Sequence, residues 1–84
     1  MKLIFADEAW EDYFNWQKQD KRIVERINKL IRETKREPVA GVGKPEPLKR
    51  ALSGFWSRRI TEEHRMVYRL EGKDLLIAQL RYHY

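Results

Sequence analysis

The sequence predicts an α+β domain, with an N-terminal strand and a helical hairpin packed on one face of a mainly antiparallel sheet. Three observations lead there. A short apolar run, KLIF at 2–5, is followed by two stretches in which apolar residues recur at the helical period. A stretch rich in proline and glycine, PVAGVGKPEPLK at 38–49, interrupts that pattern. From residue 55 the period changes to two, in three segments separated by short turns.

Each element has a local reason. KLIF reads as the first strand. Asp7 is a good N-cap for a helix in which Trp10, Tyr13, Phe14 and Gln17 stand at i, i+3, i+4 and i+7 as an aromatic stripe. Asp7, Glu8 and Glu11 suit the positive end of its dipole. On this reading Trp10, Tyr13 and Phe14 enter the core with Trp56, and Trp16 faces solvent or a partner. Asp20 caps a second helix with Ile23, Ile27, Leu30, Ile31 and Thr34 on one face and Lys29, Arg32, Lys35 and Arg36 towards its C-terminal end. Pro38 ends it, and the very short connection makes the two helices a hairpin. The three prolines and two glycines of 38–49 predict a loop without regular structure. FWSRRI (55–60) and HRMVYRL (64–70) flank a turn at Thr61–Glu63, and LLIAQLRYHY (75–84) follows a turn at Glu71–Asp74 containing Gly72. These three strands form a meander.

Length and composition narrow the class. Eighty-four residues make one domain, 1–84, and 12% aromatic content argues against disorder. The absence of cysteine excludes a disulfide framework and a thiolate metal site. Two histidines without ligand spacing predict no metal, and there is no P-loop, so no cofactor is expected. MKLIFADEAW is too short an apolar run for a signal peptide and no segment is long enough to span a membrane, which fits the cytoplasm. The net charge of +5 is unevenly placed: nine Lys/Arg against eight Asp/Glu in 1–43, but nine against five in 44–84. A positive field concentrated in one half attracts phosphate backbones or an acidic protein segment.

Strand alternation then sorts the charges. In 64–70, Met66, Tyr68 and Leu70 share one face and Arg65, Val67 and Arg69 the other. In the last strand, Leu76, Ala78, Leu80 and Tyr82 share the face towards the helices, and Ile77, Gln79, Arg81 and His83 share the far face. A sheet with helices on one side leaves its other face open, here carrying Arg65, Arg69, Arg81 and His83. Arg58 and Arg59 are adjacent and face opposite ways; spacing from Phe55 and Ser57 puts Arg59 on the open face.

Several of these residues suit acid–base or charge-stabilising work. His83 exchanges protons near neutral pH, although a histidine there is on its own most often a solvated surface group. Glu46 is the acid of the long loop, held between Pro45 and Pro47 with Lys44 and Lys49 beside it; taken alone it is an ordinary surface carboxylate. Arg65 and Lys49 can stabilise charge on a transferring phosphoryl group. Tyr84 can stack on a base or donate a hydrogen bond. His64, in the polar run TEEHR, reads as a turn residue. RNA supplies its own nucleophile in the 2′-hydroxyl, so an enzyme needs only a base, an acid and cations for the phosphate, and no metal.

At this point the residues carry a resemblance. DKRIV (20–24), GKPEPLK (43–49), LSGFWSRRITEEHR (52–65), VY (67–68) and RYHY (81–84) are similar to the YoeB toxins of bacterial type II toxin–antitoxin modules, within the RelE-like superfamily of ribosome-dependent mRNA interferases. The resemblance implies a RelE-like (microbial RNase-like) fold and a bacterial, cytoplasmic toxin that cuts mRNA in the ribosomal A site, leaving a 2′,3′-cyclic phosphate and a 5′-hydroxyl. It implies Glu46 as general base, Arg65 on the phosphate, His83 as general acid and Tyr84 in positioning, with Lys49 helping with charge; Arg59, Lys44 and Arg81 are the further cations offered by face and spacing. The resemblance also implies a YefM-like antitoxin with an acidic, flexible C-terminal segment, operator DNA reached only through that antitoxin, and a homodimer. Two other readings share the fold: a ParE-like gyrase-binding toxin, which needs no acid–base pair, and a plain RNA-binding module, which tolerates loss of Glu46.

Overall fold

The computed structural model describes residues 1–82. The elements run β1 (Leu3–Phe5), α1 (Asp7–Gln19), α2 (Lys21–Arg36), β2 (Glu46–Pro47), a single 3₁₀ turn (Arg50–Leu52), β3 (Trp56–Arg59), β4 (Arg65–Glu71) and β5 (Asp74–Gln79). Among the described residues the sheet has five strands in the order β1-β5-β4-β3-β2. β1 lies parallel to β5, and the other neighbours are antiparallel. The α+β architecture expected from the sequence is the one observed.

The helices differ in how well the sequence announced them. In α2, Asp20 accepts a hydrogen bond from the Arg22 N–H at 3.0 Å, a side-chain N-cap. Its core face is Ile27, Leu30, Ile31 and Thr34, with Ile23 half-buried. α1 is rotated from its expected setting. Ala9 and Trp16 are buried and Tyr13 and Asp12 half-buried, whereas Trp10 (53% exposed), Phe14 and Gln17 lie outside. The stripe is thus displaced by one residue, a turn of about 100° about the helix axis. The cause lies at the helix start. Ala6, not Asp7, is the N-cap, because its N–H still donates to Ile77 O at 2.9 Å in line with the β1–β5 pairing. That bond aims the helix so that small Ala9 meets the sheet. Asp7 becomes the first helical residue and makes no capping bond of its own.

The loop does contain a regular element. β2 is two residues long, pairs Glu46 with Ser57 and Pro47 with Trp56, and sits at the sheet edge, where proline is tolerated. The last strand is shorter than expected, ending at Gln79. Within it the pairing shifts: Tyr68 lies opposite Ile77 but Val67 opposite Gln79, so Ala78 is an extra residue. Such a bulge flips the alternation. Before it, Leu75 and Ile77 are buried in the core, the reverse of the expected assignment; after it, Leu80 is in the core as expected.

Arg58 is fully buried (0% exposed) beneath the loop. Its Nε donates to the Tyr68 hydroxyl at 3.2 Å, Nη1 to Val42 O at 2.9 Å, and Nη2 to Ala40 O at 2.8 Å and to Glu37 O. The last of these is the C-cap residue of α2, at the negative end of the dipole. Tyr68 in turn donates to Pro38 O at 2.6 Å. Gly43 completes the fastening. Its φ is +86°, and a Cβ there would lie 2.9 Å from Leu30 Cδ2 and 3.1 Å from Arg58 Cβ. Its carbonyl accepts the Arg59 N–H at 2.9 Å.

Candidate active site

The register of three strands assembles the candidate residues on the sheet face away from the helices. Glu46 lies opposite Ser57, Ser57 opposite Val67, and Arg59 opposite Arg65. Directly opposed residues share a face, so Glu46, Ser57, Arg59 and Arg65 stand together. Arg65 Nη1 is 3.6 Å from Glu46 Oε1 and donates to Ser57 Oγ at 3.1 Å. The arginine side chain is mostly buried while the carboxylate is about half exposed. Ser57 and Val67 are buried too. This part of the face is therefore covered, not the wet plane expected for a sheet with helices on one side. Lys49 lines a hollow beside it with Glu46, Pro47 and Leu48. Lys44, exposed and at φ +50°, is two residues from Glu46.

The structure separates other expected members from this group. Arg69 pairs with Glu71 and lies over the Phe55 ring, with the guanidinium carbon 5.0 Å from its centroid. Arg81 lies over Trp16 (5.3 Å) and Tyr82 (5.1 Å). Arg58, as its spacing required, points into the core. His83 and Tyr84 lie outside the described residues.

Residues that sequence reasoning left without a role hold the chain that leads to them. Beyond Gln79 the backbone leaves the strand. Asp12 Oδ2 accepts the Leu80 N–H at 3.0 Å, and Trp16 Nε1 donates to Leu80 O at 2.9 Å. Gln79 Nε2 donates to Arg81 O at 2.6 Å. His64 Nδ1 accepts the Tyr82 N–H at 2.8 Å, and the Arg65 N–H donates to Tyr82 O at 3.2 Å. His64 is buried (8% exposed), with its ring edge-on to Trp16 at 4.8 Å. Asp12 and Trp16 were missed because the α1 face is displaced by one residue, an offset that leaves no mark in the hydropathy pattern. Nothing in TEEHR distinguishes a buried His64 from an exposed one.

Among the described residues no group of His, Cys, Asp and Glu could hold a metal ion, and no helix is long and apolar enough to cross a membrane.

A strand, a helical hairpin and an antiparallel meander make up the RelE-like toxin fold. Residues 5–84 match the family model described as YoeB-like toxin of bacterial type II toxin–antitoxin systems. The chain belongs to this family, and is a toxin of a type II toxin–antitoxin system. It is 64% identical to toxin YoeB of Escherichia coli K12 over the full length of both chains. It is similar in structure to a YoeB/ParE toxin from Agrobacterium tumefaciens, with a TM-score of 0.96 and 56% identity over all of both chains. The Staphylococcus aureus YoeB, solved as a dimer (TM-score 0.93, 42% identity) and in complex with YefM (0.92, 41%), covers this whole chain and 98% of its own in each case.

Proposed function

We propose that residues 1–84 form one mRNA interferase domain that cleaves mRNA in the ribosomal A site and so stops translation. Glu46 takes the proton of a 2′-hydroxyl, and the 2′-oxygen bonds to the adjacent phosphorus. The bond from phosphorus to the 5′-oxygen breaks, and His83 protonates the departing oxygen. The products are a 2′,3′-cyclic phosphate and a 5′-hydroxyl. Arg65 stabilises the charge that builds on the phosphoryl oxygens, with Lys49 and Arg59 nearest to help and Lys44 and Arg81 further out. Tyr84 positions the RNA. No step requires a metal.

The observation that carries this reading is the Glu46–Arg65 pair, 3.6 Å apart, with the guanidinium mostly buried and the carboxylate about half exposed. The carboxylate is a group that can take the proton, and the largely desolvated guanidinium beside it is one that can bind the anionic phosphate. The partner is a YefM-like antitoxin whose acidic C-terminal segment meets the positive field of the second half of the chain, with operator DNA bound through the antitoxin. A homodimer, as solved for the S. aureus relative, is the expected state of the free toxin.

The test is primer extension on an mRNA in a reconstituted translation reaction, with wild type, Glu46→Gln and His83→Gln. Cuts at A-site codons by wild type, reduced roughly 10²–10⁴-fold in each variant, are expected for loss of one acid–base group. Equal cleavage by wild type and Glu46→Gln removes the proposed base. A wild type that binds ribosomes or gyrase without cutting returns the protein to a binding role.

A further inference from the structure

We propose that His64 is a positioning residue for this reaction, acting through the backbone of Tyr82. The inference rests on the nuclease reading above, since His83, the next residue, is the proposed acid. Tyr82 has φ +59°, a left-handed conformation that a tyrosine holds only when its surroundings impose it. Both of its backbone polar groups are engaged by the β3–β4 corner: the N–H by His64 Nδ1 at 2.8 Å and the carbonyl by the Arg65 N–H at 3.2 Å. One corner therefore carries Arg65 to Glu46 and fixes the residue from which the chain continues to position 83.

His64 is itself well held. Its carbonyl accepts the Ile60 and Thr61 N–H groups at 2.9 and 3.1 Å, and its N–H donates to Thr61 Oγ1 at 3.1 Å. The ring sits between Trp16 (4.8 Å) and Tyr82 (5.2 Å). A backbone N–H pointing at Nδ1 requires that nitrogen to be unprotonated. The neutral ring then carries its proton on Nε2, the nitrogen 3.6 Å from Glu63 Oε1. A buried histidine that accepts from a strained backbone residue one position before the proposed acid sets the geometry of turnover, not the affinity for RNA.

Two substitutions separate the hydrogen bond from the packing. His64→Phe keeps an aromatic ring against Trp16 and removes the acceptor. His64→Asn puts an amide oxygen near the Nδ1 position and removes the ring. The single-turnover cleavage rate on mRNA-loaded ribosomes should fall on the order of 10–100-fold in His64→Phe, with the half-saturating ribosome concentration unchanged. His64→Asn should recover most of that rate. Amide exchange at Tyr82 should be slow in wild type and His64→Asn and fast in His64→Phe. The reverse order of rates, or a Tyr82 amide still protected in His64→Phe, overturns the proposal. Imidazole ¹⁵N shifts of the wild-type protein give a check that needs no variant: a proton on Nδ1 of His64 also overturns it. If wild type does not cleave, the nuclease reading fails and takes the positioning role of His64 with it, while the exchange and tautomer results still decide whether His64 Nδ1 holds the Tyr82 N–H.

Discussion

Two stretches of irregular chain lead to the candidate site, and they are fastened in opposite ways. The stretch at 37–43, which precedes Glu46, is held from below by one guanidinium. Arg58 is fully buried and donates to three of its carbonyls and to Tyr68. The stretch at 80–82 is held by one bond each from Asp12, Trp16, His64 and the Arg65 N–H and by two from Gln79, contributed by a helix, a turn and strand ends. Both rely mainly on side chains, beside backbone bonds such as those from the Arg59 N–H to Gly43 O and from the Arg65 N–H to Tyr82 O, because neither stretch lies in a sheet ladder. The difference lies in what each fastening is coupled to. Arg58 belongs to the core, so the Glu46 side of the site cannot loosen without loosening the fold. The bonds at 80–82 are distributed, so the loss of any one of them is expected to disturb the core less.

The largest test of this contrast is Arg58→Met. The variant leaves Glu37, Ala40 and Val42 carbonyls and the Tyr68 hydroxyl without a donor beneath the loop. The expected cost is on the order of 3 kcal/mol, a large part of the stability of so small a domain. Thermal unfolding should show a midpoint lower by more than about 10 °C. A variant within a degree or two of wild type would mean that the loop is held by something other than Arg58. Gly43→Ala probes the same fastening more gently. The left-handed φ and the close approach to Leu30 and Arg58 predict a loss of about 1–3 kcal/mol, read as a lower urea midpoint with the same m-value.

The contrast also explains what could be read beforehand. The fold class, α2 with its Asp20 cap, and the meander were legible because period and turn residues act locally. Glu46 and Arg65 were legible as candidates, and the β2–β3–β4 register brings them together. What failed were features set by one residue of offset. The bulge at Ala78 reversed the faces of Leu75–Ile77, and the ladder bond of Ala6 turned α1 by one position. Neither offset leaves a mark in hydropathy, because Leu75–Leu76–Ile77–Ala78 is apolar throughout and α1 carries aromatics on two sides. Trp16 was therefore expected at the surface and is instead buried, with its indole N–H on Leu80 O. The buried Arg58 was half legible: two adjacent arginines in a strand force one inward, but its carbonyl partners come from a loop whose path only the structure gives.

On the distributed side a smaller effect is expected. Asp12→Ala removes the acceptor of the Leu80 N–H. The cost should be about 0.5–1.5 kcal/mol, felt locally. The Leu80 amide should exchange faster while core amides such as Ile77 keep their protection. Equal acceleration at both would show that 80–82 opens only with the whole fold, and the proposed separation of the two fastenings would be lost.

The subtlest effect is in alkali, and it again singles out the loop side. Burial pushes the Tyr68 phenol above its ordinary 10.0, while the Arg58 hydrogen bond and charge pull it down and only partly offset the rise. A phenol harder to ionise in the folded chain gives stability that is fully present below pH 10.0 and fades as the pH rises from there through the folded value. Tyr68→Phe cannot lose what it does not have, so its stability should fall less steeply than that of wild type across that window. At neutral pH the variant should be the weaker of the two, because the bond to Pro38 O is gone. The gap between the two proteins should then narrow as the wild-type phenol is driven towards ionisation. Urea unfolding at pH 8 and at two values above 10 measures both slopes. Parallel slopes would mean that Tyr68 ionises as readily in the folded chain as in the unfolded one, so that burial beneath the loop does not hold its proton.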